Sequence, residues 1–371
     1  MTKSSLIYSV CASLFLIIGF YACEEEDTTS PFEIQRVSRL YVSFEEFGTT
    51  DERADTTVRV VERADSSVFI FEGSHISQVE GGGAISYNPF IKTLFQASAN
   101  ASGIDTLVST VSLEQTGRLN NKGSGLRSRY YGNIKGMVYH AAMKALMLVS
   151  GAGPNAGIYL VDNAGSGGGV KPPYKKLMNP DLNMWGATYK RDKIYTAKLS
   201  APAGLYVFEN LTTRSVNASD SVGRLEPTRT FQIEGASENL RGLFYDTVKN
   251  VLAITEMGNG TEGSGKILLF DNFSNRVDGA DNVIRPSRVI TGPNTGLKSP
   301  VDVVLDTRMD GAYLYVADRD AKKVSRFKYT DDGNVAPADV IETAGLLYGV
   351  TPVGLSLDAR DDTNVPSVPP N

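Results

Sequence analysis

The chain has 371 residues, enough for two or three ordinary domains or for one large all-β ring or barrel. Apolar residues at 41% and charged residues at 21% exclude low-hydrophobicity disorder and a polytopic membrane protein, while two His and two Cys leave little for zinc sites, His-based triads or a disulfide framework. A formal net charge of -5 offers no cationic excess to neutralise phosphates, so nucleic acid is not an expected partner.

Residues 1–22 open with one cation, Lys3, run through the mainly apolar stretch Leu6 to Tyr21 and end at Ala22, ahead of Cys23 and Glu24-Glu25-Glu26-Asp27. This is the layout of a secretory signal peptide, too short and too abruptly ended for a membrane span. Phe20-Tyr21-Ala22-Cys23 resembles the lipobox of bacterial lipoproteins, with Tyr21 in place of the usual small residue. The resemblance implies a lipid on Cys23 and a membrane anchor. The acidic run behind Cys23 resembles the export signal of Bacteroidota lipoproteins, which implies the outer face of the outer membrane. Residues 23–35 otherwise read as a polar, aperiodic leash. With Cys11 lost in the signal and Cys23 lipidated, the fold is expected to rest on burial and sheet hydrogen bonds without disulfides. Asp55-Thr56-Thr57, Asp105-Thr106-Leu107 and Asp220-Ser221-Val222 resemble the O-glycosylation motifs of the same bacteria.

From residue 36 onward the chain consists of short Val-, Ile-, Leu- and Tyr-rich runs separated by Gly, Asn, Asp and Pro, the signature of strands and turns. The first three, Arg39 to Phe44, Thr57 to Val61 and Val68 to Phe71, have no leading partner. Thereafter a unit recurs roughly every 50 to 60 residues, the length of a four-stranded blade with its loops. Its anchor strand pairs a small residue or Asp with an apolar residue three positions on: Ala84–Tyr87, Gly136–Tyr139, Gly186–Tyr189, Gly242–Tyr245, Asp302–Leu305 and Gly354–Leu357. A second and a third run follow in each complete unit, the third as Ile158 to Asn163, Leu205 to Asn210 and Ile267 to Asn272. Pro173, Pro227, Pro286 and Pro337 then announce a fourth run, as suits an outer edge that can spare an N–H.

The last anchor, Pro352 to Asp358, has only a polar tail after it, residues 361–371. It lacks the three later runs that the N-terminus holds in excess. The prediction is an all-β, six-bladed β-propeller over residues 36–360, whose shared blade is closed by N- and C-terminal strands, leaving no free sheet edge. In this arrangement, and in segments such as Pro300 to Asp306 and Ala312 to Asp318, the chain resembles the NHL-type and lactonase-like propellers. The resemblance concerns architecture, not one chemistry. Inserts such as Thr116 to Tyr131 and Ser274 to Ile284 depart from it.

Propellers work at the mouth of their central channel. The residues just before the small-residue column are Gly83, Lys135, Trp185, Arg241, Val301 and Val353. Lys135, Trp185 and Arg241, on three consecutive blades, form a candidate cationic and aromatic patch for a sugar or a carboxylate. Two positions earlier, Gly81, Asn133, Asn183, Asn239, Ser299 and Thr351 read as side-chain turn caps. Likeness to gluconolactonase-type propellers implies a channel Ca²⁺, with Asp302 as candidate ligand beside Asn183 or Asn239, although one carboxylate is a weak site. His75 reads as a loop residue and His140 as a turn residue. Asp271 to Asp281 lacks EF-hand spacing, Gly165 to Gly169 has no Lys-Ser/Thr behind it, and Gly263-Ser264-Gly265 is not a nucleophile elbow.

The expectation is a non-enzymatic, surface-exposed lipoprotein, accessory to an outer-membrane uptake or export complex, with a protein or glycan partner and no required cofactor. Two alternatives stand beside it: a Ca²⁺-dependent lactonase-like hydrolase or lyase, and direct glycan binding by Lys135, Trp185 and Arg241.

Overall fold

The computed structural model describes residues 36–47, 56–99, 104–114 and 117–361. The segments expected to form a signal peptide and a leash, with Cys23, as well as Asp55 and all of residues 361–371 but Asp361, lie outside the described residues. Among the described residues no helix is long and apolar enough to cross a membrane.

Six antiparallel sheets follow one another along the chain and form a six-bladed β-propeller. The inner strands are Gly82–Asn88, Ile134–His140, Met184–Lys190, Leu240–Asp246 and Pro300–Leu305 for blades 1 to 5, and Pro352–Arg360 for blade 6. Blade 6 joins the two ends of the chain. Its inner strand pairs with the N-terminal strand Val37–Phe44, setting Leu40 opposite Leu357 and Tyr41 opposite Ser356, and Val58–Val61 continues the sheet outward.

One expectation fails in this blade. Val68 to Phe71 is not a strand; the outer position is taken by Gly73–His75, which pairs with Val58–Val61. Residues 68–71 keep the in-and-out alternation of a strand, with Phe69 buried and Val68 and Ile70 about half exposed. Their backbone does not join the ladder until the Glu72 N–H bonds to the Val60 carbonyl. Apolar alternation reports which side chains face a core, not whether a ladder partner lies within reach. His75 accordingly stands in a strand rather than a loop.

The second strands of blades 1, 2 and 4, Thr93–Ser98, Ala145–Ser150 and Val251–Glu256, are buried at every position because a neighbouring blade covers each face. This explains their continuous apolar runs. Six apolar clusters among the described residues lie one between each pair of adjacent blades. The largest joins Tyr195, Leu205 and Phe231 of blade 3 to Leu243, Ile254 and Phe270 of blade 4. Pro173, Pro227, Pro286 and Pro337 each sit two residues before an outer strand, at Lys175–Met178, Arg229–Ile233, Arg288–Thr291 and Asp339–Glu342.

The inserts protect outer edges. Gly169–Val170, Val222–Arg224 and Val283–Ile284 add as short parallel strands to blades 1, 2 and 3. Helix Phe273–Asp278 starts the insert ahead of Val283 and buries Phe273 against Tyr195 and Tyr245.

Candidate functional site

All six inner strands carry a β-bulge near their N-terminal ends. The pairing slips between Gly82 and Ile85, at Lys135, between Trp185 and Thr188, between Leu240 and Leu243, at Val301 and at Val353. A bulge puts one extra residue into a strand and re-aims its side chain. Here the slipped stretches contain or abut Gly83, Lys135, Trp185, Arg241, Val301 and Val353, and all six line one central cavity of about 790 Å³. That volume falls within the ordinary range for a small-molecule pocket.

Beneath them the strands approach closely. A Cβ on Gly136 would stand 2.3 Å from the Gly186 carbonyl carbon, so the column is glycine-rich because the next blade's backbone fills the space. Gly186 also has a φ of 68°, which an L side chain rarely adopts.

Lys135, Trp185 and Arg241 converge. The Lys135 ammonium lies 4.7 Å from the centre of the Trp185 ring, and the Arg241 guanidinium lies at the same distance. All three are half-buried. Burial pushes the Lys135 ammonium below its ordinary pKa, and the Arg241 charge pushes it further. Burial also lowers Arg241, whose Nη1 donates to the Leu240 carbonyl. Neither cation has an ion-pair partner among the described residues. Contacts to an aromatic face offset part of the desolvation cost, about 0.5–2 kcal/mol each, which leaves cationic potential aimed at the lumen.

Two side chains that the anchor-strand columns did not reveal line the same cavity. Arg319 donates to both Glu45 carboxylate oxygens, at 2.8 and 3.1 Å. Both occupy the position just after a second strand. In every blade the N–H of that residue bonds to the carbonyl of Gly81, Asn133, Asn183, Asn239, Ser299 or Thr351. That column therefore closes its turn through the backbone carbonyl, which explains why its side chains vary. The residue after each second run is the sequence position that would have pointed to Glu45 and Arg319.

Asp302 lines the channel wall but is committed to it. Its Oδ2 accepts the Leu355 N–H of blade 6 at 2.8 Å and its Oδ1 accepts the Val303 N–H at 3.0 Å. Ser356 and Thr188 make the equivalent link to the Tyr87 and Tyr245 N–H groups of the following blades. Burial among protein atoms pushes the Asp302 carboxyl up to about 7 against the lowering effect of these two bonds. Calcium requires six to eight oxygen ligands. Asn183 and Asn239 are not among the cavity-lining residues, and no group of three or more His, Cys, Asp or Glu side chains converges among the described residues. The donors around Asp302 do not fit a calcium ion.

The histidines serve structure. His140 Nδ1 accepts the Met143 N–H and Nε2 donates to the Arg191 carbonyl, so His140 caps a turn as Asn88, Asp246 and Asp306 do in other blades. His75 pairs with Asn121 at 2.9 Å.

No protein-family model matches the chain, and no curated protein sequence matches it. Solved structures do match in fold. A chain of a nidogen/laminin complex has a TM-score of 0.54 at 11% identity, covering 88% of this chain and 99% of that one. The periplasmic gluconolactonase of Pseudomonas aeruginosa has a TM-score of 0.53 at 14% identity, with 87% and 99% covered. A candidate 6-phosphogluconolactonase of Bacteroides fragilis has a TM-score of 0.50 at 11% identity, with 87% and 98% covered. At these identities the shared property is the propeller fold.

Proposed function

We propose that this chain is a binding propeller that captures a small anionic ligand, of carboxylate or acidic-sugar type, at the Lys135–Trp185–Arg241 mouth of its channel. One observation carries the reading: two desolvated cations sit over one indole ring with no carboxylate paired to either among the described residues. A ligand anion would gain charge-assisted hydrogen bonds there without the protein first breaking an ion pair. On the same reading a lipid at Cys23 would hold the ring at the outer membrane as an accessory of an uptake or export complex. Calorimetric titration of the full chain in detergent with glucuronate and with glucose tests the site. Glucuronate should bind, and Lys135→Met or Arg241→Met should weaken it about tenfold or more. Equal binding of glucose would favour neutral glycan recognition by Trp185 and count against the anion reading.

A second reading is hydrolysis of a lactone. It is favoured by the fold shared with proteins named as gluconolactonases and by a channel carboxyl at about 7, a useful value for a general base. Asp302 would draw a proton from the attacking water and return it to the ring oxygen as the ester C–O bond breaks, and Lys135 and Arg241 would hold the carboxylate that ring opening creates. Hydrolysis of gluconolactone above the buffer rate, lost in Asp302→Asn, would establish it; turnover that is absent or indifferent to that change removes it.

A further inference from the structure

Glu45 and Arg319 line the cavity that holds Lys135 and Arg241, and single-anion capture makes no use of them. Six blades in a ring put Glu45 of blade 6 across from Trp185 of blade 3, and Arg319 of blade 5 across from Lys135 of blade 2. The four charges share one field, since Arg241 and Arg319 act to lower the Lys135 ammonium and Glu45 to raise it. Lys135, Arg241 and Arg319 therefore share this mouth with Glu45, and Asp320 lies 3.7 Å from Arg319 Nη1.

The Glu45–Arg319 pair also shows what Arg319 is shaped to hold. Its guanidinium takes both oxygens of a carboxylate, the geometry in which arginine recognises carboxylates and phosphates. The pair is partly open to solvent, with side chains 32% and 44% exposed, and such pairs are weak and readily exchanged. Arg319 thus holds an internal carboxylate that an external one can replace.

We infer that the ligand carries two anionic groups, one held by Lys135 and Arg241 and the other by Arg319, which exchanges Glu45 for it. The inference rests on the anion reading above and narrows it to dianions such as dicarboxylates. Glu45 is then a selectivity residue. A monoanion fills the Lys135–Arg241 side and leaves the Glu45–Arg319 pair intact, whereas a diacid of the right length also engages Arg319.

The test titrates the full chain with straight-chain dicarboxylates from malonate to pimelate and with monocarboxylates of the same lengths. One diacid should bind about tenfold more tightly than its monoacid, the gain expected of one added charge-assisted contact. Arg319→Gln should abolish that advantage, whatever common change it makes to the affinity of both acids, while Glu45→Gln should enlarge it. Equal affinity of diacids and monoacids for the wild type, or an advantage that survives Arg319→Gln, overturns the inference and leaves single-anion capture standing. Failure of every acid to bind removes both.

Discussion

Gly242 and Asp302 are packed so closely that a Cβ on Gly242 would lie 2.1 Å from Asp302 Oδ1 and 2.6 Å from the Asp302 Cα. The second contact is with backbone and cannot be relieved by a rotamer change. Gly242→Ala must therefore push blades 4 and 5 apart or tear Asp302 from the Leu355 and Val303 N–H groups. We expect a loss of about 1–3 kcal/mol, the usual cost of overpacking. Urea unfolding would show it, and an unchanged midpoint would mean that the channel is wider than described.

Asp302 makes stability depend on pH. Below about pH 4 it is protonated in both the folded and the unfolded chain. Between about 4 and 7 the unfolded chain releases the proton while the folded chain retains it, because burial raises the folded value to about 7. Stability from this group therefore falls as pH rises through that window and is flat above it. Asp302→Asn removes the dependence. The melting temperature of the variant relative to wild type should be higher at pH 8 than at pH 4.5, whatever fixed cost the amide adds by facing a second N–H. A constant difference across the range would show that the Asp302 carboxyl titrates in the folded chain as it does in the unfolded one.

Arg308 secures the closure of the ring. Its guanidinium bonds to Asp306 in the same blade and to Asp65, in the segment following the third strand of blade 6, at 2.6 Å. Arg308 and Asp306 have side chains only 3% and 0% exposed. Arg308→Met leaves the Asp306 charge buried without its counterion, and such losses cost about 3–5 kcal/mol. The double change Arg308→Met with Asp306→Asn should be less damaging than Arg308→Met alone. Additive losses in denaturant melts would deny the coupling.

Lys135 gives ligand binding an alkaline limit. Its ammonium is held below the ordinary value by burial first and by Arg241 second. An anion prefers the charged form, so affinity is full below the lowered value and fades as pH rises through it, earlier than for an exposed lysine. Arg241→Met removes the larger of the two cationic neighbours that lower it, the other being Arg319, and should move the fading limb to higher pH while lowering affinity overall. Glucuronate titrations between pH 7 and 10.5 would reveal the shift; a limb that stays in place would show that Arg241 exerts no field on Lys135.

Blade number, strand order and the use of both chain ends in blade 6 are legible in the sequence, because each depends on local chemistry. The spacing of Tyr87, Tyr139, Tyr189 and Tyr245 repeats, proline precedes the outer strands, and one anchor strand lacks successors that the N-terminus supplies. Counting back from those anchors also picked out Lys135, Trp185 and Arg241 as one row, and the ring brings them together.

Tertiary structure alone decided the rest. Val68 to Phe71 has the pattern of a strand, but Gly73–His75 is the segment that pairs with Val58–Val61. Asp302 looked like a metal ligand in a column of glycines and proves to be a hydrogen-bonded staple to the next blade. Glu45 and Arg319 stand 274 positions apart and become partners only when the ring closes. Periodicity records the forces within a strand and its turn, which act over a few residues. Which side chains share a channel mouth depends on the angles at which six blades close, and these are set by packing between blades and by the bulge in each inner strand.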